Sequence, residues 1–257
     1  MIFKRKEEKT VDDGKTLGDF IKQVPEVRGV KKIIAIASAK GGVGKSTIAT
    51  NFAIFLEKAG KNVALVDADI YGPSIKHLMN LEGKLEQKDD MILPKISKGI
   101  KCMTIGSIIA DEQAGVWRGP MVTKILKQLI RTVDWKCDGR EVDVMIIDMP
   151  PGTGDVYLTI AEKFSIDGVI CVSTPHDLAV IDLVKSIDCF EKLKIPIIGL
   201  IENMSYLEVD GKKRYIFGKE AAKKFAKKKN IEFLGEIPIN EGIKQDQEVF
   251  NNILKKL

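Results

Sequence analysis

The chain has 257 residues, 44% of them hydrophobic, and a net charge of +5 from 41 Lys and Arg against 36 Asp and Glu. This length and composition suit one sizeable core, and so mild a charge calls for neither a nucleic-acid nor a membrane partner. No apolar run reaches the roughly 18 residues of a membrane span, the start (MIFKRKEEKTVDDGK) lacks a signal-peptide core, and four dispersed cysteines with two histidines exclude a disulfide framework and a local zinc site.

In chain order, residues 1–28 read as a charged tail with one short helix near 17–24, and residues 29–257 as a single domain expected in the cytoplasm. From Lys32 onward, short β-branched runs alternate with amphipathic segments: IIAIAS, a helical stretch from Lys45, NVALVDAD, then VMIIDMP, GVICVST and IPIIGLIEN. Such alternation predicts βαβ units, an α/β fold with a mostly parallel central sheet and helices on both faces, because the runs are apolar on both sides. In the first helix Ala49, Phe52, Ala53 and Leu56 recur at helical spacing and predict one apolar stripe. Between Leu81 and Gly119 the pattern loosens, which predicts a hairpin or irregular excursion.

The segment IIAIASAKGGVGKSTIAT, residues 33–50, places a Gly-rich turn between a strand and a helix. Gly41, Gly42 and Gly44 lack Cβ atoms, so the turn around Val43 can curl and aim its N–H groups at phosphate oxygens, helped by the helix N-terminus. This is a phosphate loop, although Ala39 stands where the strict G-x-x-x-x-G-K-[ST] pattern has glycine. In such a loop Lys45 reaches the β- and γ-phosphates, Ser46 offers its hydroxyl to Mg²⁺, and Thr47 lies near the α-phosphate.

Further on, VALVDADIYGPS ends a strand with Asp67 and Asp69, and VMIIDMPPGTGD puts Asp148 at the tip of another. Carboxyl ends of strands are where ligands sit in open α/β sheets, while an acid capping a helix start is the ordinary alternative. Asn203 follows the strand IPIIGLIE, where a side-chain amide can pair with a purine edge, and Pro238 after FLGEI is a candidate for packing on the base. His77 and His176 read as surface or helix-start residues. At the C-terminus, EVFNNILKKL offers Phe250, Ile253, Leu254 and Leu257 on one face, a segment that docks on the body of the protein or lies on a membrane. The Lys-rich stretch 219–230 suits a solvated helix face or a contact to DNA phosphates.

KGGVGKST carries a second lysine, Lys40, at the loop's start. In this it resembles the deviant Walker A ATPases, the class of ParA, MinD, nitrogenase iron protein and the Mrp/ApbC carriers. The resemblance implies a homodimer in which Lys40 acts in the partner's nucleotide site. It also implies that Asp69 orients the attacking water, with Asp67 behind it near Mg²⁺. Asp148 would hold Mg²⁺ through water, Gly152 would contact the γ-phosphate and Asn203 the adenine. VDADIYGPSI, VWRGPM, IIDMPPGTGD and IENMSY with YIFG narrow the resemblance to Mrp/ApbC iron–sulfur cluster carrier ATPases, over about residues 29–245. That branch implies slow Mg-ATP hydrolysis and transfer of clusters to apo-iron–sulfur proteins or exchange with assembly factors.

Relatives of this kind often begin with an extra domain, for which the residues before the phosphate loop leave no room, and they continue further past IPINEGIKQDQE. Between Ser205 and Tyr215 carriers place the C-x-x-C that binds a bridging cluster. This chain reads YLEVDGKKR there, without a thiolate to hold iron, and Cys102, Cys137, Cys171 and Cys189 cannot be moved onto the motif. The expectation is therefore an ATPase of the carrier kind whose own cluster is doubtful. The alternative is a metal-free positioning ATPase acting on a membrane, DNA or protein partner.

Overall fold

The computed structural model of the chain describes residues 26–69, 72–109, 119–152, 154–239 and 247–257. The helix expected near 17–24 lies outside the described residues, as do parts of the VDADIYGPSI and VWRGPM segments. Each β-branched run forms a strand. β1 is Ile33–Ala37, β2 Val63–Asp67, β7 Val144–Asp148, β8 Gly168–Ser173, β9 Ile197–Glu202 and β12 Phe233–Glu236. With β5 (Lys95–Ser97) and β6 (Ile100–Thr104) they make one eight-stranded sheet in the order β12-β9-β8-β1-β7-β2-β6-β5. β5 is antiparallel to β6, and the other pairings in this sheet are parallel.

Alternate residues of each strand feed two separate cores, as the period of two requires. Ile34, Ile36, Leu65 and Ile146 face one core with helix α1 (Lys45–Lys58). Ala35, Val66 and Ile147 face the other, with α4 (Gly119–Arg131), α5 (Asp155–Lys163), α6 (Asp177–Lys192) and α7 (Ala221–Lys229). The expected parallel sheet with helices on both faces is what forms.

Ala49, Phe52, Ala53 and Leu56 are fully buried on α1, as their spacing predicted, but Thr50, Asn51 and Ile54 are buried too. The C-terminal helix α8 (Gln247–Leu254) packs on α1, its Phe250 ring 5.5 Å from Phe52 and 5.6 Å from Phe55. Val249 and Ile253 are buried with it. The apolar face that could have lain on a membrane is used in packing, and among the described residues no helix is long and apolar enough to cross one.

The loose stretch after Leu81 contains the expected hairpin, β3 (Glu86–Lys88) with β4 (Met91–Leu93), and beyond β6 the short helix α3 (Ile105–Ile109). It also contains β6 itself, fully buried, which polar Lys101 and Thr104 conceal in the sequence. Lys101 is 1% exposed, and its Nζ donates to the carbonyls of Trp135 (2.8 Å) and Arg140 (3.2 Å) and to Asp138 Oδ1 (2.7 Å). A loop before β7 is thus tied to the sheet by one ammonium. Partial burial of Asp138 pushes its carboxyl up, but hydrogen bonds from Lys101 and Arg140 outweigh this and hold it well below the usual range. Lys101→Met keeps the side-chain bulk and removes the donors. It should cost about 2 kcal/mol, the scale of hydrogen bonds to a charged group, and lower Tm by roughly 5 °C in a chain this long. An unchanged melting curve would show that the lysine does not hold the loop.

Candidate functional site

The phosphate loop joins β1 to α1 at the carboxyl edge of the sheet, where β1 is flanked by β7 and β8. Gly42 (φ 79°) and Gly44 (φ 83°) adopt left-handed backbone that side-chain-bearing residues avoid. A Cβ added to Gly41 or Gly42 would meet nothing within 4 Å, so this side of the loop is open. No side chain caps the start of α1, whose first N–H groups face the same opening. Ser38 Oγ donates to the Lys40 carbonyl (2.9 Å), and the Gly152 N–H donates to the Ser38 carbonyl (3.1 Å), which fastens the segment after β7 to the loop.

Beneath the loop Lys45, 6% exposed, pairs with the fully buried Asp148 at 2.6 Å from Nζ to Oδ1. The other oxygen of Asp148, Oδ2, is buried without a hydrogen-bond partner. Burial pushes the Asp148 carboxyl up and the Asp69 charge adds to this, while Lys45 and then Ser46 pull the other way. Asp67, also buried, accepts from the backbone N–H of Asp69 (3.1 Å), Ser74 (3.0 Å) and Ile75 (3.0 Å). It therefore caps the short helix α2 (Ile75–Leu78), the ordinary alternative weighed for an acid at this position. Burial, then the Asp148 charge, pushes the Asp67 carboxyl up to about 7, against the N–H groups of Ile75 and Asp69 and the Lys45 ammonium. Asp69 is 9% exposed and accepts from the Gly72 N–H (3.2 Å). Three carboxyl groups crowd one buried ammonium, and a cation bound among them would favour their ionised forms.

Above these groups lies a cleft of about 590 Å³, lined by Lys40, Gly41, Gly42, Gly44, Lys45, Ser46, Thr47 and Asp69. The structure thus brings most of the expected residues to one opening, with Asp67 and Asp148 under its floor. Ser74, His77 and Pro151 also line it. His77 is exposed on α2 as expected, yet its place on the cleft wall had no signal beyond its position after the Gly72-Pro73 break. Asn203 and Pro238 are not on this wall. Asn203 is 7% exposed behind the loop, its Nδ2 donating to the Val43 carbonyl at 2.8 Å. Pro238 lies between Ile237 and Ile239, whose backbones pair with Ser205 and Tyr206. Lys40 Nζ lies 3.1 Å from Asp182 on α6, a partner far away in sequence that no motif announced.

The stretch after Ser205 is a hairpin, β10 (Leu207–Val209) with β11 (Lys212–Arg214), closed by Asp210 (φ 52°) and Gly211 (φ 69°) in the left-handed backbone of a tight turn. Lys213 Nζ lies 4.0 Å from the Tyr206 ring centroid and 3.3 Å from Glu236, and the Tyr206 and Tyr215 rings are 6.0 Å apart. Cys102 and Cys171 are fully buried, and burial pushes both thiols up to about 12. Cys137 is exposed in the Lys101-held loop before β7, at the end of the sheet opposite the cleft, and Cys189 is partly buried on α6. Among the described residues no group of three His, Cys, Asp or Glu side chains is arranged to hold a metal ion.

The family model of ParA, the NUBPL iron-transfer P-loop NTPase, matches residues 29–256. The chain is 42% identical to the iron-sulfur cluster transfer protein NUBPL of Dictyostelium discoideum, over 86% of this chain and 69% of that protein. It is 39% identical to the iron-sulfur cluster carrier protein of Haemophilus influenzae, covering 88% of this chain but 61% of the relative. Among solved structures, a nucleotide-binding protein from Archaeoglobus fulgidus in complex with ADP superposes with a TM-score of 0.73 at 34% identity, covering 93% and 92% of the two chains. The cell division ATPase MinD of Pyrococcus furiosus, at 18% identity and TM-score 0.59 over 88% and 99%, shares the fold.

Proposed function

Because this chain belongs to the NUBPL iron-transfer P-loop NTPase family, we propose that it binds and slowly hydrolyses Mg-ATP as a two-fold dimer in the service of iron–sulfur assembly, without holding a cluster on its own thiolates. The observation that carries the nucleotide part is the buried Lys45–Asp148 pair under an open glycine cradle. An ammonium at the loop and an orphaned carboxylate oxygen beside it fit a triphosphate with its magnesium ion.

In this reading the loop N–H groups, Lys45 and Thr47 hold phosphate, and Gly152 borders the γ-phosphate. Ser46 and Asp148 would be the residues that hold the magnesium ion, the serine through its hydroxyl and the aspartate through its carboxylate. Asp67 has its oxygens engaged by three backbone N–H groups, so it shapes the loop that carries Asp69 and adds negative charge behind the ion. Asp69 orients the attacking water and Lys40 serves the partner's site; the adenine contact expected of Asn203 and Pro238 has no support from their place off the cleft wall, where the Asn203 amide is engaged by the Val43 carbonyl. When bound, magnesium neutralises charge on the transferring phosphoryl group; positioning by these residues supplies the rest of the catalysis.

The partners are apo-iron–sulfur proteins or assembly factors, by likeness to the relatives that carry those names. A metal-free positioning ATPase would use the same machinery, but its membrane form needs the C-terminal helix, which is packed on α1. The cluster claim is tested by anaerobic reconstitution with iron and sulfide. Wild type should regain no thiolate-to-iron charge-transfer absorption, because the hairpin has no cysteine and Cys102 and Cys171 are sealed in the core. One cluster per dimer, lost on Cys→Ser substitution, would overturn the claim and identify the ligands.

A further inference from the structure

We propose that Asn203 is a positioning residue that couples the phosphate loop to the β10–β11 hairpin, so that nucleotide in the loop sets how firmly the hairpin is held. The proposal rests on the nucleotide reading above and extends it to the segment where carriers work.

The contact is direct and buried. Asn203 Nδ2 donates to the Val43 carbonyl at 2.8 Å, which turns that carbonyl away from the cleft and leaves the neighbouring N–H groups for phosphate. The approach is also close, since a Cβ added to Gly44 would collide with the Asn203 amide nitrogen and come to 3.5 Å from Met204 Cε. Any rearrangement of Val43 and Gly44 around a phosphate must therefore move Asn203 or break its hydrogen bond.

From Asn203 the chain reaches the hairpin in three residues, and none of them is slack. The Asn203 N–H donates to the Ser173 carbonyl (2.8 Å), the Ser205 N–H to the Ile237 carbonyl (2.9 Å), and the Tyr206 carbonyl accepts from the Ile239 N–H (2.7 Å). Glu202, fully buried, accepts from Ser205 Oγ (2.6 Å) through one oxygen and from the Ala222 N–H (2.7 Å) through the other, which joins the hairpin's base to the start of α7. Met204 sits between these anchors at φ 56°, a left-handed conformation that a methionine adopts only at a cost of about 1 kcal/mol or more. Rigid anchors on either side of a strained residue transmit a displacement rather than absorb it.

Hydrogen exchange of peptides covering residues 38–47 and 205–216 reads both ends of the connection, with and without saturating Mg-ADP. In wild type both peptides should be protected by nucleotide. In Asn203→Ala the loop peptide should still respond, while the response of the hairpin is lost. Met204→Gly, which suits the left-handed backbone and so keeps the fold, should leave the loop response and reduce that of the hairpin. An equal hairpin response in all three proteins, or a silent wild-type hairpin beside a protected loop, would overturn the coupling and leave the nucleotide reading intact. A loop peptide indifferent to nucleotide would remove that reading and the coupling with it. If Asn203 served only the adenine, its substitution would change the preference for ADP over GDP and spare the hairpin response.

Discussion

Lys40→Ala should lower ATP turnover about a thousandfold or more, the scale of a charge supplied across an interface to a phosphoryl transition state. Lys40 stands on the rim of its own cleft, with its ammonium drawn toward Asp182 on α6. Both side chains are partly exposed, at 42% and 31%, so this pair contributes roughly 0–1 kcal/mol and is easily displaced when a second subunit approaches. In a two-fold dimer each subunit would offer its Lys40 to the other. Mixing Lys40→Ala with Asp69→Ala subunits tests this arrangement. The Lys40→Ala subunit keeps its own Asp69 and would receive a lysine from its partner, so one site of the mixed dimer is complete. Up to half the wild-type rate per mixed dimer should return, measured by phosphate release. No recovery in demonstrated mixed dimers would mean that Lys40 acts within its own chain.

Lys45→Ala should weaken nucleotide binding by about two orders of magnitude, the free energy of one or two charge-assisted hydrogen bonds to phosphate. It should also destabilise the free protein. Lys45 is the cation paired with fully buried Asp148, with Asp67 close by, and removing one partner of a buried pair costs about 3–5 kcal/mol. Protonation of Asp148 relieves part of this, so a fall in Tm of about 5–10 °C is expected. Calorimetric titration below that temperature isolates the binding loss from the folding loss. Equal affinity for Mg-ADP in wild type and variant would remove Lys45 from the phosphate site.

The hairpin carries the strongest functional contrast in the chain. It stands after Asn203 and the end of β9, where the resemblance to cluster carriers implied cysteines; it has none, and its Lys213 lies against the Tyr206 ring and Glu236. If the proposed coupling to the phosphate loop holds, the hairpin would report the nucleotide state to a partner without thiolates of its own, which is compatible with a role in iron–sulfur assembly.

Local order was legible from residues alone because each signal is contained within a few positions. The apolar runs that became β1, β2, β7, β8 and β9, the glycines that need left-handed backbone, and the absence of cysteine after Ser205 all belong to that class. So does the stripe of Ala49, Phe52, Ala53 and Leu56. What required the tertiary structure is whatever depends on residues far apart meeting in space. β6 is hidden because Lys101, polar by type, is buried and satisfied only by a loop brought to it from Trp135 to Arg140. The packing of Phe250 on Phe52 and Phe55 and the Lys40–Asp182 and Asn203–Val43 contacts join segments that share no local pattern. A charge or amide is read from sequence as a type, but its partner is chosen by packing. The sequence by itself therefore determined the phosphate-loop pattern between a strand and a helix and the fold class, while only the tertiary structure decided which distant groups meet around that loop and hold it in place.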